Sequence, residues 1–119
     1  MQTVAFFLLT DHGKKVLTLP RGKGEFKIPG CVVEDGKSIE DTLRSEVQKQ
    51  TGLIIHNPRA VFSDKSPDCV RITYCASDVF GDLNEQAIAW VLPQVIPSGD
   101  HSGYSRKLLE YTGLLGDDE

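Results

Sequence analysis

Two kinds of chemistry are written into the first half of the chain. Arg21, Lys23 and Lys27 crowd a segment, PRGKGEFKIPG, broken by proline and glycine. Guanidinium and ammonium groups suit phosphate oxygens, which accept charge-assisted hydrogen bonds. Carboxylates follow at once: Glu34 and Asp35 before Gly36, then Glu46 in a helical pattern. Clustered carboxylates suit hard divalent cations, which take oxygen ligands. The plainer reading stands beside each: a solvated basic loop, turn residues beside a glycine, an edge glutamate on an amphipathic helix.

Other chemistries find less support. The three Cys (31, 69, 75) and three His (12, 56, 101) have no zinc-ligand spacing. The odd cysteine count fits reduced thiols and a cytoplasmic setting. Cys69 and Cys75 share parity on one strand and are expected to be buried. Cys31 has no activating partner in sequence. A net charge of −4 gives no strong nucleic-acid signal. No apolar run reaches membrane-spanning length, so no membrane association is expected. The N-terminus lacks a basic n-region and reads as a first strand rather than a signal peptide.

The elements that would position these residues follow from periodicity. Residues 2–10 are apolar enough for a strand buried on both faces, and 11–14 turn into a return strand over 15–19. Residues 20–25 are expected to be irregular, with a short strand at 26–28 stopped by Pro29-Gly30. Ser38 is a good N-cap, with Asp41 in the capping-box position. Ile39, Leu43 and Val47 recur on one face, and Gly52 is a natural residue just past a helix end. The helix is therefore predicted over Ile39–Thr51. Strands are predicted at 59–63, 70–76 and 88–92, a turn at 63–68, a loop at 78–84, and a helix over 104–115 with Leu108 and Leu109 facing inward. Phe6, Phe62, Tyr74 and Phe80 could stack on a base, but at strand positions they read first as core. At 119 residues with 39% apolar content, the chain is long enough for one domain, 1–119, with its own core. Strands and helices in this order imply an α/β (α+β) domain with a mixed sheet.

The segment PGCVVEDGKSIEDTLRSEVQKQTGL resembles the signature of the Nudix hydrolases, which cut nucleoside diphosphates linked to another group. That family carries R-E-U-x-E-E-x-G-U, with U a bulky aliphatic. Here Glu46, Val47, Gly52 and Leu53 match. Ser45 stands for the arginine, Lys49 and Gln50 for the second and third glutamates, Lys37 for an upstream glutamate, and Cys31 for the second glycine of a usual Pro-Gly-Gly. Arg44 is one residue from the arginine position, about 100° around the helix, and is expected to pair with Glu40. Lys49 and Gln50 are expected to be solvated, although Gln50 could still offer one carbonyl oxygen to a metal.

The resemblance extends to Arg21, Gly24, Phe26, Pro29 and Gly30 before the signature and to NEQAIAWVLP after it. It implies a Nudix-like α/β/α sandwich with a mixed sheet. It also implies Glu46 and Glu85 as catalytic positions, Glu46, Glu85 and Gly30 as metal positions, and Arg21, Lys23, Lys27 and Gly30 as substrate positions. The cofactor would be Mg or Mn if the protein is active, and the partner a nucleotide-type small molecule. Dimers are common in that family, so a homodimer is open. With two carboxylate positions replaced, three readings follow. The first is a Nudix-fold binder of a nucleotide or phosphorylated small molecule with weak or lost hydrolysis. The second is an active pyrophosphohydrolase with relocated ligands, using Glu46, Glu85 and Glu34. The third is a non-catalytic interaction module.

Overall fold

The computed structural model describes residues 2–11, 15–21, 25–76, 78–96 and 102–111. The central element is β1 (Gln2–Phe7). Its side chains alternate between two cores, because successive strand residues point to opposite faces. Ala5 and Phe7 join one buried cluster with Leu43 and Val47. Val4 and Phe6 join the other with Tyr104, Leu108 and Leu109. A strand buried on both faces needs a continuous apolar run, and VAFF supplies it.

Around β1 lie β5 (Gly30–Val33), β7 (Arg59–Ser66) and β8 (Cys69–Cys75), in the order β5-β1-β8-β7. The β1–β8 pair is parallel and β1–β5 antiparallel, so the sheet is mixed. A second sheet is built on β3 (Lys15–Arg21). It pairs with β2 (Thr10–Asp11), β4 (Glu25–Lys27) and β10 (Ala89–Val91). A two-stranded ribbon joins β6 (Leu53–His56) to β9 (Asp78–Gly81). Helix α1 (Ile39–Thr51) covers one face. Helix α2 (Ser102–Tyr111) covers the other, completing an α/β/α sandwich. No helix among the described residues is long and apolar enough to cross a membrane.

The capping expectations hold. Ser38 Oγ accepts the Asp41 N–H at 3.2 Å. Gly52 adopts the left-handed conformation at φ 86°, its N–H bonded to Gln48 O at 2.9 Å. Leu108 and Leu109 face inward; the predicted continuation of α2 past 111 lies outside the described residues. Cys69 and Cys75 both face the α2 core, Cys69 buried and Cys75 partly so.

Several expectations are corrected. The irregular stretch expected at 20–25 is strand at both ends: β3 continues through Pro20 and Arg21, and β4 begins at Glu25. Pro20 is tolerated because β10 pairs with β3 only as far as Thr18, so no ladder bond needs its missing N–H on that side. The short strand expected at 26–28 does stop before Pro29, since β4 ends at Lys27, but β5, which begins at Gly30, was not predicted. The turn expected at 63–68 is shorter, because β7 runs to Ser66. The expected loop at 78–84 contains β9, and β6 was not predicted. Both strands are short, and their pairing across the chain leaves no local signal.

Candidate functional site

The signature residues gather where β5 leaves the sheet and α1 returns over it. Gly30 pairs with Phe6. A side chain there would place Cβ 2.4 Å from Ala5 O and 2.8 Å from Phe6 Cδ1. Only glycine lets the two backbones approach this closely. Four residues on, Lys37 N–H closes a turn onto Glu34 O at 3.1 Å, with Gly36 at φ 84°. Glu34 and Asp35 are exposed turn residues.

The far end of α1 is fastened twice. Thr51 is fully buried; its Oγ1 donates to Val47 O at 2.7 Å and accepts from Leu53 N–H at 3.2 Å. Asn84 N–H donates to Thr51 O at 2.7 Å. A Cβ on Gly52 would lie 2.2 Å from Asp82 O. The loop carrying Glu85 is thus docked on the C-terminal end of α1. Glu85 itself is exposed.

Gln50 departs from expectation. It is not solvated: its Nε2 donates to Gly30 O at 3.1 Å, and its Oε1 is buried without a hydrogen-bond partner. The amide has this orientation because its reverse would set two carbonyl oxygens against each other. Position 50 lies one turn past Glu46 and beside the buried Val47, on the border between core and surface. That border placement is legible in the helical period; the bond to Gly30, twenty residues away, is not.

Glu46 is partly buried, at 34% side-chain exposure, and its Oε2 lies 3.6 Å from Lys49 Nζ. Lys49 is exposed, as expected. Cys31, next to Gly30, lies half-buried. Burial first and the Glu46 charge second push its thiol up to about 11, while Lys27 pulls the other way. Lys27 and Glu46 therefore both act electrostatically on Cys31, and the thiol is protonated at neutral pH. Lys27 ends β4 and is half-buried. Arg21 ends β3 in register with Glu25, and Lys23 lies outside the described residues. Among the described residues, no group of three or more His, Cys, Asp or Glu is placed to hold a metal ion.

Arg44 faces Asp41, with Nη1 3.8 Å from Oδ1, rather than the expected Glu40. Its Nε also donates to Ile55 O at 3.1 Å, which ties α1 to β6. Phe6, Phe62 and Tyr74 pack in the cores. Phe80 does not: it is 55% exposed and meets His56 edge-to-face at 5.0 Å. The strand parity of β9 points it outward.

A Mutator MutT protein from Bacillus halodurans is similar to this chain, with a TM-score of 0.68 over 92% of this chain and 82% of its own, at 23% identity. The E. coli ORF135 protein gives 0.73 over 99% and 95%, at 19% identity. A MutT NUDIX hydrolase from Burkholderia pseudomallei gives 0.67 over 89% and 95%, at 14% identity. The fold is that of the Nudix hydrolases. No family model matches the chain, and no curated protein matches it significantly. At these identities the likeness speaks for the Nudix fold, and the chemistry rests on this chain's own residues.

Proposed function

We propose that this Nudix-fold chain binds a nucleotide or another phosphorylated small molecule at the β5–α1 junction, with hydrolysis weak or lost. The observation that carries this reading is the bond from Gln50 Nε2 to Gly30 O. It occupies a carbonyl oxygen that the signature implies for a metal, and it puts a donor where a cation would need an acceptor. Lys49 stands against the remaining helix carboxylate, Glu46, and an ammonium there opposes a divalent cation. This donor set does not suit Mg²⁺ or Mn²⁺. Lys27 and Lys49 offer charge to phosphate oxygens without one, and the sequence adds Arg21 and Lys23 as further candidates. Three free cysteines suit a reducing, cytoplasmic setting.

One observation favours the second reading, an active Mg- or Mn-dependent pyrophosphohydrolase with relocated ligands. The Asn84–Thr51 bond brings the loop of Glu85 to the same helix that carries Glu46.

Hydrolysis of a panel of nucleoside diphosphate derivatives, with Mg²⁺ and with Mn²⁺, on wild type and Glu46→Gln, separates the two. The proposal expects no appreciable turnover by either protein, together with a rise in melting temperature on adding a nucleotide in chelator. Turnover abolished by Glu46→Gln sinks it in favour of the second reading. No turnover and no stabilisation by any phosphate ester leaves the fold as an interaction module.

A further inference from the structure

We infer that the Gln50 amide is a built-in substitute for a bound cation, and that one atom's difference at this position decides whether the β5–α1 junction responds to divalent metal. The inference extends the metal-poor reading above but does not depend on any ligand being bound. Gly30 O faces a group that must present positive charge to it. In this chain that charge is the Nε2 hydrogen of Gln50, at 3.1 Å.

The other half of the amide exposes what the exchange leaves behind. Oε1 is buried with no donor, and an unsatisfied buried acceptor is costly. An amide introduced only to close the junction would be expected to have both ends satisfied. An acceptor left turned inward is what a carboxylate-shaped side chain leaves when its cation is replaced by its own N–H.

The geometry around the pair fits the same account. Glu46 lies one helical turn before Gln50, on the same side, and Gly30 cannot move away, because its backbone is held against Ala5 and Phe6. With glutamate at position 50, a carboxylate would stand against Gly30 O, with Glu46 one helical turn away on the same helix. Without a cation, that carboxylate would face a carbonyl oxygen. The two oxygens would repel each other, and the junction would lose the bond that the amide now makes.

A divalent cation should therefore rescue this variant, and it should not affect the wild type through this position.

The test is thermal unfolding of wild type, Gln50→Glu and Lys49→Gln/Gln50→Glu at neutral pH, each in chelator and in millimolar Mn²⁺. Mn²⁺ binding is read in parallel by electron paramagnetic resonance. The wild type should melt at the same temperature with and without Mn²⁺. Gln50→Glu should melt several degrees lower in chelator and recover in Mn²⁺. The double variant, freed of the Lys49 ammonium, should bind Mn²⁺ more tightly than the single one. If Gln50→Glu fails to fold in chelator, Mn²⁺ should restore folding. Failure to restore it, a variant indifferent to Mn²⁺, or a wild type stabilised by Mn²⁺ as strongly as the variant would each overturn the inference. A missing nucleotide ligand would refute the binding proposal and leave this result standing.

Discussion

Cys31 reports on the charges around the site. Its thiol, held near 11 by burial and by Glu46, should alkylate slowly at neutral pH. Glu46→Gln should speed that reaction and Lys27→Met should slow it, as followed by mass spectrometry across pH. The same thiol contributes to stability below about pH 9, the ordinary value, and that contribution is lost as pH rises through about 11. At the opposite face, Tyr104 Oη lies 2.5 Å from Thr73 Oγ1, and it also donates to Phe62 O at 3.3 Å. Tyr104→Phe leaves the buried Thr73 hydroxyl without that partner and should cost about 1–2 kcal/mol in denaturant unfolding. The Glu46–Lys49 pair, with Lys49 exposed and Glu46 partly buried, should be worth at most about 0.5 kcal/mol to stability.

Among the elements, α1 was the most legible. Ser38, the Ile39–Leu43–Val47 stripe and Gly52 fix its ends and its buried face from local chemistry alone, and the structure has the same bounds. Ser38→Ala should lose about 1 kcal/mol, measured by urea unfolding. Gly30→Ala should do far more, because the new Cβ would meet the Ala5 carbonyl and break the β1–β5 register. Its circular dichroism and exchange protection should show β5 released. The strands that escaped sequence reading, β6 and β9, are short and held by partners distant in sequence. Leu53–His56 has alternating burial, but four residues after a helix cap do not announce a strand. Gln50 was given to solvent, since nothing local reveals that Gly30 waits across the gap. Lys49 is exposed as expected; its contact with Glu46 was not foreseen, although the (i, i+3) spacing permits it.

For the whole molecule, β1 separates two cores, and each helix closes one of them. Leu43→Ala and Leu108→Ala both empty fully buried positions and should each cost about 2–5 kcal/mol. Because the residues lie in different clusters, their effects should add in the double variant. The Nudix fold was recognisable from the frame of glycines and aliphatics around α1, which are the residues that position backbone. The site was less so, because the substitutions that set its chemistry, Lys49 and Gln50, leave that frame untouched.

The parallel pairing of β1 with β8 has a consequence in time. Gln2 is in register with Cys69, and Phe7 with Tyr74. During synthesis β1 therefore lacks one of its two neighbours until everything through β7, and then β8 itself, has been made. Non-local pairing of this kind slows folding, and a strand apolar on both faces is exposed while it waits. During synthesis, VAFFL is the segment a chaperone would be expected to hold.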